Sequence, residues 1–208
     1  MNKLTQNLTN HLKLLALIFS LFFAFESRCD SDIRDFAQET VDRILHVVTN
    51  DNMSSDKKSA LLEKTFLEVV DIPWIARYTL GRHWAKLTPT QSAEFTKLYE
   101  QYLVNIYVPN FKKYNSDQVT ITSIQNLGSA DKKEYLVKTT IENERRTTAY
   151  SINFRVVRKD DKLQIFDFIT EGVSMISTQR AEFNAIISAH GLDYLFTKLR
   201  SRNPNGEE

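Results

Sequence analysis

The fold class of this chain follows from residues 150–170, which read YSINFRVVRKDDKLQIFDFIT. In the first half of this stretch apolar side chains alternate with polar ones, and the apolar positions are Tyr150, Ile152, Phe154 and Val156. A period of two residues is typical of a β-strand whose two faces differ. The charged run at residues 159–162 predicts a hairpin turn, and residues 163–170 predict the returning strand.

Two further alternating segments lie upstream of this hairpin, at residues 119–124 and 135–142. The second segment places Tyr135, Val137, Thr139 and Ile141 on one face. Four strands of this length, joined by short connections, predict one four-stranded antiparallel sheet.

Helical periods flank the sheet on both sides. Apolar residues recur every three or four positions in residues 32–48, 61–70 and 95–107 before the sheet, and in residues 175–187 and 192–199 after it. The sequence therefore predicts an α+β domain with a helical first half, one antiparallel sheet packed by helices, and C-terminal helices. No linker or repeat divides it, so a single domain is expected.

Several residues mark where these helices begin and end. Ser55 or Asp56 can cap the second helix, and Gly81 can close the short third helix. Thr88 and Gln91 have the spacing of a capping box at the start of the fourth helix, with a proline between them. Pro109 is expected to kink or end that helix.

Residues 1–29 have the pattern of a secretory signal peptide. Two lysines, Lys3 and Lys13, come before an uncharged apolar run at residues 14–25. This run has the length typical of a signal peptide and is too short for a permanent membrane span. Ser27 and Cys29 are small residues at the positions before a cleavage site, so cleavage after Cys29 is predicted, and an uncleaved anchor is the alternative. The mature chain would then comprise a domain at residues 30–202 and a polar tail at residues 203–208.

Composition excludes several classes of protein. The 208 residues include 27 Lys and Arg against 26 Asp and Glu, so the charge gives no indication of a nucleic-acid partner. Removal of residues 1–29 takes away three basic residues and one acidic residue, which leaves a mature charge of −1. It also takes away the only cysteine, so stability would rest on packing alone.

The sequence offers little that indicates catalysis, and no cofactor or metal is expected. The five glycines are too far apart to form a phosphate-binding loop, and His46, His83 and His190 do not share a helical turn. Asp167 and Glu171 could form an acid–base pair at the end of the last strand. A structural role for both carboxylates is the preferred interpretation, and we expect no enzymatic activity.

Basic residues also have two interpretations. The pairs at residues 132–133 and 145–146 lie in predicted turns, where solvated charge is the ordinary role and docking is the alternative. Arg77, Arg82 and Lys86 could meet a lipid phosphate or form a solvated face.

Apolar side chains occur on both sides of the last strand, which a sheet covered on one face does not need. Strict alternation places Leu163, Ile165 and Ile169 on one side and Phe166 and Phe168 on the other. Either helices cover both faces, or the helices stand off the sheet and leave an apolar cavity for a ligand.

Three segments resemble the MlaC family of periplasmic phospholipid-binding proteins, also described as toluene-tolerance (Ttg2-type auxiliary) proteins. Residues 166–176 (FDFITEGVSMI) are similar to the family's aromatic-Asp strand followed by Glu-Gly-Val-Ser and a helix. Residues 78–84 (YTLGRHW) resemble its Leu-Gly-aromatic segment, and residues 88–91 (TPTQ) resemble its Thr-Pro-x-Gln helix start. The resemblance extends over residues 32–200.

This resemblance implies a periplasmic carrier that holds phospholipid by its acyl chains. Such carriers shuttle lipid between an outer-membrane lipoprotein complex and an inner-membrane ABC transporter complex with MCE-type subunits, and so serve the lipid asymmetry of the outer membrane. Two rivals remain open: an exported adaptor with a filled core, and an enzyme acting on lipid with Asp167 and Glu171. A hopanoid-type lipid is an alternative cargo.

Apolar character and position give ten candidates for the wall of a lipid cavity. They are Trp74, Leu98, Tyr102, Ile106, Val137, Ile152, Phe154, Phe168, Val173 and Ile176. Two further residues are expected to have structural roles: Gly172 in a sharp turn between strand and helix, and Asp167 in a hydrogen bond.

Overall fold

The computed structural model describes residues 31–112, 117–129, 133–143 and 149–202, in which helices pack against an antiparallel sheet. The predicted signal peptide, residues 1–29, and the predicted polar tail, residues 203–208, lie outside these ranges. The α+β class predicted from the sequence is confirmed.

Four helices precede the sheet and two follow it within the described residues. They are α1 (residues 31–48), α2 (Ser55–Val69), α3 (Ile72–Leu80), α4 (Pro89–Phe111), α5 (Met175–His190) and α6 (Leu192–Ser201), with a 3-10 helix at Gly81–Lys86 between α3 and α4. None of the helices in the described ranges is both long enough and apolar enough to cross a lipid bilayer.

Helix α4 begins as its sequence predicts. The Thr88 hydroxyl accepts a hydrogen bond from the Gln91 backbone N–H at 3.2 Å, and the Gln91 side chain accepts one from the Thr88 N–H at 3.0 Å. This reciprocal capping box satisfies two N–H groups that have no partner inside the helix.

Two predicted helix boundaries are wrong by one or two residues. The N-cap of α2 is Ser54 rather than Ser55 or Asp56, because Ser54 has an extended backbone and its side chain accepts from the Lys57 N–H. Helix α4 does not end at Pro109 but continues two residues past it to Phe111, because a proline so close to a helix end removes few helical hydrogen bonds; the predicted kink stays a prediction.

The sheet is a meander of five strands rather than the predicted four. Its order is β1 (Asp117–Asn126), β2 (Glu134–Asn143), β3 (Ile152–Lys159), β4 (Lys162–Thr170) and β5 (Val173–Ser174). Strand β5 has only two residues, which pair with Ile169 and Thr170, so it is too short to produce a period in the sequence.

Two tight turns depend on positive backbone φ angles. Asp160 and Asp161, with φ of 48° and 59°, form the predicted charged hairpin between β3 and β4. Glu171 and Gly172, with φ of 49° and 81°, join β4 to β5. Two successive positive φ angles are typical of the hairpin turn whose twist matches that of the strands.

A β-bulge at Phe166 corrects the predicted faces of β4. Arg155 pairs with Asp167 while the next residue of β3, Val156, pairs with Ile165, so Phe166 is the extra residue. Strict alternation would separate Ile165 from Phe168, but the bulge returns both to one face, where they line the same cavity. Phe166 packs instead against Trp74, with ring centroids 5.0 Å apart.

Candidate functional site

An apolar cavity of about 100 Å³ lies between the helices and one face of the sheet. Helices α1, α2 and α4 form one side of it, and strands β1 to β4 form the other. Its wall consists of Thr40, Val41, Ile44, Leu45, Phe66, Val69, Phe111, Val119, Thr139, Ile141, Ile152, Phe154, Ile165 and Phe168.

The wall contains no charged residue, and its two polar side chains have their hydroxyl groups occupied. The Thr40 hydroxyl donates to the Phe36 carbonyl at 2.8 Å, and the Thr139 hydroxyl donates to the Ile152 carbonyl at 2.7 Å. A hydroxyl that donates to the backbone has no proton left to donate to a ligand. The cavity therefore favours a hydrocarbon ligand, because it offers few hydrogen bonds to a polar one.

Aromatic rings form the part of the wall that lies next to the protein core. Phe66 and Phe168 stack with centroids 6.4 Å apart, and Tyr107 lies behind Phe168 at 5.3 Å. Phe66 also contacts Phe111, with centroids 6.3 Å apart. These contacts hold the rings of α2, α4 and β4 against one another.

Three of the ten wall residues predicted from the sequence line this cavity: Ile152, Phe154 and Phe168. Their position follows from the pairing of β3 and β4, in which Phe154 lies opposite Phe168. Val137 and Ile176 are instead buried side chains of the core, 0% and 4% exposed.

The structure places the other five predicted residues away from the cavity. Leu98 and Ile106 pack partly buried against the core, and Tyr102 stacks on Tyr99 with centroids 6.0 Å apart. Trp74 lines a separate pocket with Phe166. Val173 is 56% exposed on the short edge strand, so its predicted position in the wall is corrected.

Sequence reasoning missed the contribution of α1, which supplies Thr40, Val41, Ile44 and Leu45. The available signal was the width of the apolar stripe on this helix. Its N-terminal Ile33 and Ala37 are completely buried in the main core, whereas Val41, Ile44 and Leu45 are only partly buried. When the apolar stripe of a helix is wider than its contact with the core, the additional apolar side chains can line a second surface.

Asp167 is completely buried and its carboxylate has four donors. Arg155 donates from Nη2 at 2.7 Å and from Nε at 3.1 Å, the Ser174 hydroxyl donates at 2.7 Å, and the Ile176 backbone N–H donates at 3.2 Å. Glu171 accepts from the Ser151 N–H at 3.1 Å. The geometry gives both carboxylates hydrogen-bond partners within the protein.

Burial raises the pKa of three tyrosines of helix α4. The pKa of Tyr107 is raised by burial first and by the charge of Asp167 second. The same effect of burial raises the pKa of Tyr99 and of Tyr102. These phenols stay neutral at physiological pH, and the Tyr99 hydroxyl donates to the Gln179 side chain inside the core.

Within the part of the chain that the structure describes, no group of three or more His, Cys, Asp or Glu side chains is arranged to hold a metal ion. His83 is buried and contacts the Asn184 side chain at 3.1 Å, which Arg82 also contacts at 3.2 Å.

The family model described as "MlaC protein" matches residues 38–201 of this chain. The chain belongs to the MlaC family. The matched range covers the described strands, most of α1 and all five of the other helices, so the MlaC family match includes every element that lines the cavity.

Two individual proteins extend this result for the MlaC family. The intermembrane phospholipid transport system binding protein MlaC of Haemophilus influenzae is 20% identical over 140 residues, which are 67% of this chain. This chain spans 65% of the length of that curated relative. A phospholipid-binding protein from Ralstonia solanacearum, solved in complex with a phospholipid, has the same fold with a TM-score of 0.69 at 20% identity, over 81% of this chain and 95% of the other.

Proposed function

We propose that this chain carries phospholipid through the periplasm and holds the acyl chains in the cavity between α1, α2 and the sheet. It exchanges lipid with an outer-membrane lipoprotein complex on one side and an inner-membrane MCE-type ABC transporter complex on the other. The observation that carries the proposal is the cavity wall, which consists of twelve apolar side chains and two threonines whose hydroxyls are bonded to the backbone.

The relatives support this choice of ligand. The Haemophilus influenzae relative is named as a phospholipid transport binding protein, and the Ralstonia solanacearum structure contains a phospholipid. Of the residues predicted from the sequence, Ile152, Phe154 and Phe168 would contact the acyl chains.

Energetics indicate why such a carrier needs an enclosed apolar wall. A lipid with two acyl chains has roughly thirty methylenes, each worth about 0.8 kcal/mol on removal from water. Transit through an aqueous compartment therefore requires shelter worth on the order of 20 kcal/mol. The donor and acceptor membranes are equally apolar, so the carrier needs no chemistry of its own and only has to match a bilayer.

The size of the cavity adds a condition to the proposal. Ligand cavities usually have volumes of roughly 300–1,000 Å³, whereas this cavity has about 100 Å³. Entry of acyl chains therefore requires part of the helical side of the wall to move away from the sheet. The aromatic side of the wall is held from several elements, so α1 is the element that moves.

A pair of matched substitutions tests the function. Val41→Trp places a large ring on the α1 side of the cavity, and Val173→Trp places the same ring on the exposed edge strand. We expect the mature protein and Val173→Trp to copurify with phospholipid and to extract it from vesicles, as measured by native mass spectrometry. We expect Val41→Trp to carry at least tenfold less, because the ring occupies the space of the acyl chains.

Two results would contradict the proposal. Wild-type protein that copurifies with no phospholipid and takes none from vesicles would not be a carrier. Equal phospholipid content in Val41→Trp and Val173→Trp would place the lipid outside this cavity. Circular dichroism of both variants checks that each is folded.

A further inference from the structure

A second pocket, of about 290 Å³, lies away from the lipid cavity and shares no lining residue with it. It is formed where the start of α3 meets the end of β3, the middle of β4 and the residue before β2. Its lining residues are Asp71, Trp74, Lys133, Val157, Arg158, Lys159 and Phe166.

Three cations converge on this pocket. Arg158 and Lys159 lie at the end of β3, Lys133 directly precedes β2, and the Arg158 N–H donates to the Lys133 carbonyl at 3.0 Å, which fixes the spacing of these two backbones. The Asp71 carboxylate is also present, but it accepts from the Trp74 N–H at 3.1 Å as the N-cap of α3. Asp32 of α1 pairs with Arg158 at 3.0 Å.

Arg158 has a donor that lacks a partner. Its Nη2 donates to Asp32, but its Nε is buried and has no hydrogen-bond acceptor among the described residues. A buried donor without an acceptor is costly, and native structures keep few of them. The unsatisfied N–H belongs to a residue in the wall of the pocket, so an anionic oxygen bound there would supply the missing acceptor.

Two aromatic rings also line the pocket, those of Trp74 and Phe166. Trp74 meets the edge of Phe166 with centroids 5.0 Å apart and an angle of 70° between the rings, and it stacks on Tyr78 at 5.1 Å. A ligand for this pocket therefore combines an anion for the three cations with a small apolar part for the two rings. A phosphate ester has this chemistry, because its several oxygens can accept from Arg and Lys donors together.

We propose that this pocket binds a phosphate ester, with one phosphate oxygen on the Arg158 guanidinium, the two lysines around the phosphate and the organic part against Trp74. The site is separate from the acyl-chain cavity, and the proposal does not depend on lipid carriage. The phosphate can come from a soluble ester or from the head group of an anionic phospholipid at a bilayer surface. The test distinguishes the two sources.

Trp74 provides the signal for a binding experiment. The chain has two tryptophans, and the other, Trp84, packs against Phe95 with centroids 6.4 Å apart. Trp84→Phe therefore leaves Trp74 as the only tryptophan. In this background the emission of Trp74 is followed during titration with glycerol 3-phosphate, with inorganic phosphate, and with phosphatidylcholine vesicles that contain or lack phosphatidylglycerol. Sodium chloride at matched ionic strength is the control for screening.

The variants separate a binding role of Arg158 from a structural one. Lys159→Gln, at an exposed position, is expected to weaken binding about threefold to tenfold, and Arg158→Gln by at least tenfold. Asp32→Asn breaks the same ion pair from its other side but leaves the guanidinium in place. We expect Asp32→Asn to bind as tightly as the background or more tightly, because it removes a competing carboxylate. If Arg158 were only structural, Arg158→Gln and Asp32→Asn would weaken binding alike.

Each outcome either tests whether the pocket binds a phosphate ester or identifies the source of the phosphate. A saturable response to glycerol 3-phosphate that Arg158→Gln abolishes supports a soluble ester. A response only to vesicles with phosphatidylglycerol, again lost in Arg158→Gln, supports a bilayer head group. No saturable response to any probe, a response equalled by sodium chloride, or one unchanged by Lys159→Gln and Arg158→Gln would overturn the site. Phospholipid extraction, measured on the same preparations, tests the carrier function independently.

Discussion

The buried Asp167 carboxylate of β4 forms hydrogen bonds with both β3 and the start of α5. It accepts from Arg155 on β3, from the Ser174 hydroxyl at the N-cap of α5, and from the Ile176 N–H in the first turn of α5. Arg155 also lies 3.6 Å from Glu134, so its charge is shared between two carboxylates. A negative charge near a helix N-terminus is favourable in itself, and here it also positions the helix on the sheet.

Asp167→Asn is expected to lower the free energy of unfolding by about 3 kcal/mol, because it leaves Arg155 partly buried beside a neutral group. Urea unfolding at pH 7 measures the change. Asp32→Asn is the matched control: it removes the carboxylate of the ion pair with Arg158, but the Asp32 side chain is half exposed, so a change of about 0–1 kcal/mol is expected. Equal effects of the two substitutions would contradict the structural role of Asp167.

Tyr107 makes stability sensitive to alkaline pH. Burial, and next the charge of Asp167, raise its pKa above the ordinary value of 10. Above about pH 10 the unfolded chain therefore releases a proton that the folded chain retains. The stabilising contribution is complete below that pH and is lost as the pH rises toward the folded-state pKa.

Tyr107→Phe is expected to flatten this part of the pH dependence. At pH 11 the wild type should have lost up to about 1.4 kcal/mol more than the variant, relative to pH 8, since one proton contributes that amount per pH unit. Urea unfolding of both proteins between pH 8 and pH 11 measures the difference. Parallel curves over that range would show that the Tyr107 phenol does not contribute.

The start of α4 shows how one local motif fixes an element. Thr88→Ala removes one half of the capping box and is expected to cost about 1 kcal/mol of unfolding free energy. Thr88→Ser keeps the hydroxyl and should recover most of that loss. Thermal unfolding of the wild type and both variants compares their stabilities. An alanine variant as stable as the serine variant would show that the capping box does not contribute to the stability of the protein.

Elements with a local cause could be predicted from the sequence, and elements with a tertiary cause could not. The capping box at Thr88 and the hairpin at Asp160 and Asp161 depend on neighbouring residues, so their sequence patterns were sufficient. Strand β5 exists because Val173 and Ser174 pair with β4 after a turn, which no period of two residues can indicate. The bulge at Phe166 depends on the register of β3 and is likewise invisible in β4 alone.

The same distinction explains the candidate site. Ile152 and Phe154 were placed in the wall because they lie on the apolar face of a correctly predicted strand, whereas Phe168 lies on the same side as Ile165 only because of the bulge. The choice of Trp74 and Val173 followed apolar character, which does not say which of several apolar surfaces a side chain joins. The α1 side of the cavity could not be predicted from the sequence in the same way. It depends on the C-terminal half of α1, which leaves the main core and packs with α2 and α4 around Leu62 and Val108.

At the scale of the whole molecule, the proposed function requires a domain that is stable but can open. The main core holds α3 to α6 together through rings such as Phe95, Tyr99 and Phe183, and none of these lines the cavity. Two ion pairs join α1 to its neighbours: Asp32 pairs with Arg158 of β3, and Arg43 pairs with Glu68 of α2. Arg43, Glu68 and the Asp32 carboxylate are well exposed, so both pairs are weak and screened by salt even though Arg158 itself is mostly buried.

These two pairs should slow the entry of lipid. The double variant Asp32→Asn with Glu68→Gln is expected to take phospholipid from vesicles on the order of threefold faster, because parting α1 from its neighbours no longer breaks two ion pairs. Added salt should accelerate the wild type by screening the pairs and should have less effect on the double variant. Stopped-flow transfer of a fluorescent phospholipid measures both rates.

Glu94→Gln is the control for this experiment, because it breaks an exposed ion pair with Arg200 that does not involve α1. Its uptake rate should equal that of the wild type. If the double variant and the control were equally fast, α1 would not be the element that opens. Lipid would then have to enter by displacing α2 or the end of α4, where Phe66 and Phe111 are in contact, and Phe111→Leu would accelerate uptake instead.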